Sequence, residues 1–252
     1  MTSRVKDFIE NTPFNLVSRT AFSLVSTYPE RRKLARTPDM VFLWIPKAAG
    51  TSVFEFLARE VGMQKLKDPH DFLSFPNRGA VTFGHAHYLS LRRANVVTDR
   101  YHDRAFKFAL IRNPYSRAAS LYNYLVRING LEKDCSFDSF LDRVRLRRPP
   151  VGVYNVSGLS QTNPQVDWLI GEDGEIIADR VFRVEEMDQF LSYISDRYAI
   201  SAGKPELVNT SPSAVRIDGI FARRDRIEKI NEIYRRDFRL LGYEEKTGET
   251  VS

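Results

Sequence analysis

Three groups of residues in this chain carry side chains suited to chemistry. Lys47, Thr51 and Ser52 surround Gly50 in the run Pro46-Lys-Ala-Ala-Gly-Thr-Ser52. Arg112 and Ser120 lie eight positions apart in Arg112-Asn-Pro-Tyr-Ser-Arg-Ala-Ala-Ser120. His85 and His87 follow Gly84 with one alanine between them. The first two groups combine cations with hydroxyls, the donors that hold phosphate oxygens. The third offers imidazole, which titrates near neutral pH and can take a proton from a hydroxyl.

The surrounding residues say which elements must position these groups. Val41 to Ile45 are all apolar and read as a short buried strand, which Pro46 stops. Phe54, Leu57 and Ala58 then recur at helix spacing. A strand, a tight polar turn and a helix start together form an anion cradle. Backbone N–H groups and the helix dipole point at the turn, and Lys47 adds a full charge. The plainer alternative is a generic strand-to-helix turn with a solvated lysine. This is not the common nucleotide loop, in which lysine follows the second glycine; here it stands three residues before Gly50.

Phe106 to Ile111 read as a second buried strand. Pro114 is placed to open a helix, and Leu121, Tyr122, Leu125 and Val126 continue an apolar face. Arg112 then leaves a strand end and Ser120 lies on the helix. Together they can hold a terminal phosphate, or they are a surface ion-pair partner and an ordinary helix serine. A third strand is expected over residues 80–84. On a strand, positions two apart share a face, so His85 and His87 are expected on one side. A His-x-His pair can also ligate zinc, but it needs a third ligand, and nothing nearby has clear ligand spacing.

The order P-K-A-A-G-T-S resembles the 5′-phosphosulfate loop of sulfotransferases that use 3′-phosphoadenosine 5′-phosphosulfate (PAPS), and R-N-P-x-x-R-x-x-S resembles their 3′-phosphate site. The Gly84–Tyr88 segment is similar to the histidine segment of Golgi-type carbohydrate sulfotransferases, the family that includes heparan sulfate 2-O-sulfotransferase. Gln165–Leu169, Gly174–Ile176, Phe182–Glu185 and Tyr234–Tyr243 resemble the middle and end of bacterial members, so the resemblance spans roughly residues 40–243. It implies an α/β fold with a central, mainly parallel sheet flanked by helices, of the P-loop-like sulfotransferase type. It also implies PAPS as co-substrate, no metal, and a carbohydrate or glycoconjugate acceptor rather than nucleic acid. Under it, Lys47 stabilises the leaving phosphate. Backbone N–H groups of Ala48, Ala49, Gly50, Thr51 and Ser52, with the Thr51 and Ser52 hydroxyls, hold the 5′-phosphate. Arg112 and Ser120 hold the 3′-phosphate. His85 aligns as the base, with an acidic limb expected at about pH 6 to 7; His87 assists or binds acceptor.

Composition limits the alternatives. The chain has 252 residues, enough for one full core, and its 42% hydrophobic and 28% charged content is ordinary for a globular protein. A net charge of +6 and a pI near 9.4 suit anionic partners without choosing among them. Cys135 is the single cysteine, so an internal disulfide is excluded. No run of about 18 apolar residues exists, and the first ten residues lack the apolar region of a signal peptide. The expectation is a cytoplasmic protein of bacterial type: an extension over 1–38, a sulfotransferase domain over 39–245 and a tail over 246–252.

Further expectations concern single elements. Ser136 or its neighbour caps a helix through Leu141 and Val144, and residues 151–166 form a long loop. Val181 to Val184 form a strand, Glu185 to Ser195 a helix, and 201–222 a loop. Ile227, Ile230, Tyr234, Phe238 and Leu241 define one last helix, with Arg226, Lys229, Glu232, Arg235 and Arg239 on its wet face. That face is either plainly solvated or a polyanion stripe. Glu185 either caps the helix after it or binds acceptor hydroxyls. Trp44 is expected in the core, Trp168 in the core or stacked on a sugar, and His70 and His102 on the surface. Two other functions compete: an ATP-dependent kinase, which would need magnesium, and a non-catalytic polyanion binder, whose binding would fall steeply with salt.

Overall fold

A computed structural model describes residues 36–146, 155–156, 159–200 and 215–247. Most of the expected extension over 1–38, the end of the tail, and parts of the two expected loops lie outside the described residues. Met40–Leu43 form β1, and all four residues are buried. An apolar run buried on both faces belongs in the middle of a parallel sheet. β1 pairs in parallel with β3 (Ala80–Thr82) on one side and β4 (Phe106–Ile111) on the other. β2 (Gln64–Lys65) extends the sheet beyond β3, and β7 (Arg180–Arg183) extends it beyond β4. The order is β2-β3-β1-β4-β7, every pair parallel. β5 (Asn155–Val156) and β6 (Leu159–Ser160) form a separate antiparallel pair within the expected long loop.

Parallel neighbours require crossovers, and helices supply them. α1 (Gly50–Glu60) follows β1, and α2 (Pro69–Ser74) follows β2. α3 (Tyr88–Arg93) and α4 (Asp99–Arg104) link β3 to β4. α5 (Pro114–Arg127) follows β4, and α6 (Phe137–Arg145) follows α5. Caps fix several of these starts: Asp68, Thr98, Asn113 and Ser136 each accept a backbone N–H of the first turn, and Pro114 opens α5.

Alternation along β1 divides the core. Val41, Leu43 and Ile45 pack with Tyr88, Leu91 and Tyr101 on one face. Met40, Phe42 and Trp44 pack on the other with Val53, Phe56 and Leu57 of α1 and Phe190, Leu191 and Ile194 of α7 (Met187–Tyr198). A third cluster joins α5 and α6 to the C-terminal helices through Tyr115, Leu121, Phe140, Ile230 and Phe238.

Several elements differ from expectation. Pairing of β3 stops at Thr82 because Gly84 turns the chain with φ of +57°. A 3₁₀ turn, Val184–Glu186, precedes α7. Within the expected loop over 201–222, Ile217–Phe221 are helical (α8), with Ile220 fully buried. The expected last helix is two, α9 (Arg224–Ile233) and α10 (Arg235–Leu241), because Tyr234, at φ −108° and ψ 23°, leaves the helical region. The basic face is partly ion-paired: Arg226 holds Asp138 of α6 at 2.7 and 2.9 Å, and Lys229 holds Asp142 at 3.0 Å.

Candidate active site

The C-terminal ends of parallel strands are where open α/β sheets bind ligands. Across this sheet those ends carry, in spatial order, Lys65 at β2, His85 after β3, Lys47 after β1, Arg112 after β4 and Glu185 after β7. Residues distant in sequence therefore line up along one edge.

The Lys47 loop has an unusual backbone. Lys47 and Ala49, neither of them glycine, have φ of 68° and 55°. Left-handed residues cost about 1 kcal/mol or more each, and they turn successive N–H groups towards a common anion. α1 starts at Gly50 with no side-chain cap from Ala49. Ala48, Gly50 and Ser52 are buried, Ala49 is partly exposed, and Thr51 is exposed. Gly50 is required by a close approach: a Cβ there would stand 1.8 Å from Nε1 of Trp44.

Lys47, Arg112 and Ser120 come together on one cavity of about 440 Å³. α5 forms its floor, presenting Ser116, Ser120, Asn123, Tyr124 and Arg127 at helix spacing. Asn123 fixes the opposite wall, exchanging two 2.9 Å hydrogen bonds with the backbone of Val215, next to Arg216. The Lys47 ammonium lies 4.3 Å from the centroid of the Tyr124 ring. Burial, then the charges of Arg127, Arg112 and Arg117, lower the Lys47 pKa to about 8. A cavity that weakens its own cations suits an anion, which would restore them.

Arg112 is held by side chain and backbone. Its Nε donates to Ser116 Oγ at 3.0 Å. Its backbone N–H donates to Gln165 Oε1 at 2.8 Å, and Gln165 Nε2 donates to its carbonyl at 2.7 Å. Gln165 is in turn anchored by the fully buried Asp237 of α10, which accepts from the backbone N–H groups of Gln165 and Val166 at 2.9 and 3.0 Å. Glu185 neither caps the following helix nor stands free: it accepts from the Asn113 N–H at 2.8 Å and from the Tyr243 hydroxyl at 3.0 Å. It thereby ties the start of α5 to the C-terminal segment.

The histidines stand apart from the cavity wall. His85 lies in the turn after β3, with Nδ1 2.9 Å from the carbonyl oxygen of Trp44 and its ring edge-on to the indole at 5.4 Å. A carbonyl only accepts, so Nδ1 carries the proton and Nε2 is the basic nitrogen. Burial pushes the His85 pKa down to about 4, against the opposing Trp44 hydrogen bond and with the help of Lys65, Lys47 and Arg117. That value lies below the range of about 6 to 7 expected from its ordinary imidazole. His87 does not share a strand face with His85, because the strand has ended; it precedes α3 and its Nδ1 lies 3.0 Å from Ser90 Oγ. Neither belongs to the one group of three potential metal ligands among the described residues, Asp68, His70 and Asp71. Trp168 is buried in the core, so core packing prevails over sugar stacking. His102 is half-buried against the Tyr88 hydroxyl, at 3.1 Å.

Sequence reasoning missed Ser116, Asn123, Tyr124 and Arg127, although helix spacing counted from Ser120 identifies all four. It also gave no role to Lys65, Arg117, Gln165 or Asp237. Arg117 appeared only as the second arginine of R-N-P-x-x-R-x-x-S.

Comparison with known proteins identifies the family. A family model described as the sulfotransferase family matches residues 32–244. Among solved structures, the chain is similar to a crystal structure of a sulfotransferase from Alicyclobacillus acidocaldarius, at 19% identity, over 82% of this chain and 98% of that one, with a TM-score of 0.43. No curated protein matches. The family match contains both cationic motifs and every residue described around the cavity: the chain belongs to the sulfotransferase family.

Proposed function

We propose that this protein transfers the sulfuryl group of PAPS to a hydroxyl of a carbohydrate or glycoconjugate, with His85 as base. One observation carries the donor assignment: Lys47 from one motif and Arg112 with Ser120 from another open onto a single cavity. PAPS would supply an activated sulfuryl group at the end of its 5′-phosphate, which leaves as the phosphate of adenosine 3′,5′-bisphosphate, and the donor set fits both phosphates. The N–H groups from Ala48 to Ser52 and the Thr51 and Ser52 hydroxyls suit the 5′-phosphate. The Arg112 fork and Ser120 suit the 3′-phosphate. The acceptor class rests on the resemblance of the histidine segment to Golgi-type carbohydrate sulfotransferases.

Each residue has a distinct task. Lys47 meets charge that grows on the leaving phosphate oxygen, so it helps the transition state more than the ground state. Arg112 fixes one end of the nucleotide and so orients the other. His85 Nε2 accepts the acceptor proton, and the Trp44 carbonyl holds the imidazole in that tautomer. Burial, with the help of Lys65, Lys47 and Arg117, depresses His85 and keeps it unprotonated across the physiological range. His87 stands beside this path and contributes to acceptor binding.

Thermal shift tests the donor. Adenosine 3′,5′-bisphosphate should raise the melting temperature, because a ligand selective for the folded state stabilises it. ATP, which lacks a 3′-phosphate, should raise it less, with or without magnesium. Equal shifts would remove the 3′-phosphate role of Arg112 and Ser120. A magnesium-dependent preference for ATP would favour a kinase.

A further inference from the structure

Lys65 ends the edge strand β2, next to β3 and its His85. The donor cavity lies on the other side of His85, over β1 and α5. The sheet therefore divides the reactants: the donor's groups lie over β1 and β4, and the space over β3 and β2 remains for the acceptor. Lys65 is exposed there. Its Cε runs past Gly84, where a Cβ would stand 3.5 Å away, and its ammonium sits 4.1 Å from the Trp44 ring centroid and 5.9 Å from that of Phe54. The same indole meets the His85 ring at 5.4 Å, so cation and base flank one tryptophan.

No carboxylate pairs with Lys65 among the described residues. Aromatic faces hold its charge in place but accept no conventional hydrogen bond, which leaves its three N–H donors for a ligand. Its charged neighbour is another cation, Lys67, and burial together with Lys67 lowers its pKa. Lys65 also acts on His85 more strongly than Lys47 or Arg117 does. A cation on the same indole as the base, with no carboxylate partner among the described residues, is suited to an anion brought by the acceptor.

We infer that Lys65 forms an acceptor subsite for an anionic group, a carboxylate or a sulfate ester, carried close to the hydroxyl that is sulfated. The inference rests on the proposed reading of His85 as the base that faces the acceptor. It narrows the acceptor from carbohydrates in general to acidic ones, and it makes Lys65 a determinant of specificity.

The test is binding, by calorimetry, of three probes to the full chain with and without adenosine 3′,5′-bisphosphate. They are a uronic-acid oligosaccharide, its carboxyl-reduced counterpart, and the reduced form carrying sulfate esters. The native protein should bind at least one acidic probe about tenfold or more tighter than the neutral one, the range of a charge-assisted hydrogen bond. Preference for the uronate or for the sulfated probe identifies which anion is read. Lys65→Gln should reduce the preference to within about twofold, and Lys65→Arg should keep most of it. Equal affinity of the native protein for all three probes, with no measurable binding counted as equal, overturns the subsite. So does an equal loss on acidic and neutral probes in Lys65→Gln, or weaker bisphosphate binding in that variant, which would move Lys65 to the donor side. Failure of the donor reading is separate: it appears as absence of bisphosphate binding by the native protein, while the probe comparison without nucleotide still reports on Lys65.

Discussion

Arg117 donates from Nε to the carbonyl oxygen of Pro46, 3.1 Å away, so a fully buried guanidinium on α5 holds the residue that precedes Lys47. Its other two nitrogens donate at 3.0 Å to the carbonyls of Asn163 and Gln161. One side chain thus joins the loop after β1, the helix that carries Ser120, and the segment that leads to Gln165 and hence to Arg112. The second arginine of R-N-P-x-x-R binds protein, while the first faces the cavity.

Removing that brace should cost stability and order in the Lys47 loop. Arg117→Ala leaves three carbonyls without their donor, at about 1 to 3 kcal/mol for each one that stays buried. A melting temperature lower by about 10 °C is expected, given roughly 2 to 4 °C per kcal/mol in a chain of this size. Arg117→Lys keeps the charge but not the fork. It should recover part of the stability yet bind adenosine 3′,5′-bisphosphate more weakly than the native protein. Native melting and native nucleotide binding in Arg117→Ala would show that the brace has no such role.

Under the proposed function, Lys47 should make a pH-dependent contribution to rate. Its charge is present below its pKa of about 8 and is lost above it. The kcat/KM profile should therefore fall as pH rises through about 8, and Lys47→Ala should lower turnover on the order of a hundredfold at neutral pH. Stability moves the other way. Between about 8 and the ordinary value of 10.5 the unfolded lysine holds a proton that the folded one has released, so stability rises with pH across that window. A rate profile flat from pH 7 to 10 would remove the charge of Lys47 from the mechanism.

Under the proposed function, His85 should set the acidic side of the profile. With its pKa near 4, the imidazole stays a competent base well below pH 6, and activity should hold to about pH 5 before declining. Stability should decrease as pH falls from 6.5 towards 4, because the unfolded histidine takes up a proton that the folded one refuses. His85→Ala should lose about a hundred- to ten-thousandfold in turnover with bisphosphate binding intact. His87→Ala should act mainly on acceptor KM. Turnover measured for both variants on one acceptor decides between them; a collapse confined to His87→Ala would reverse the roles.

The chain's local chemistry made the strands and the cation-bearing turns legible. β4 coincides with the expected strand Phe106–Ile111, and α5 opens at Pro114 as its sequence implies. Two hydroxyl-and-cation motifs, each after an expected strand, pointed to one edge of the sheet, since strand ends of a parallel sheet gather there, and both open onto one cavity. What stayed hidden depended on long-range packing. Nothing near Asp237 in sequence indicates that it faces Gln165 and so steadies Arg112. The break at Tyr234 interrupts a helical period that reads as continuous. The displaced pKa of His85 comes from burial and from cations on β2, β1's loop and α5, which no local window contains. Lys65 sits in a two-residue strand too short to give a periodic signal.

The contact between Trp44 and Gly50 also constrains how the chain can vary. Gly50 has no left-handed backbone to satisfy; the indole simply occupies the volume its side chain would fill. The two positions are therefore coupled as a lock and its cut-out. Any side chain at 50 forces the indole to move; the indole is also the surface on which Lys65 rests, and the backbone carbonyl of the same residue accepts from His85. A single methyl group added at the start of α1 would thus reach the histidine and the edge-strand lysine. Related chains with a larger residue at position 50 should carry a smaller one at 44, and with it a differently arranged base.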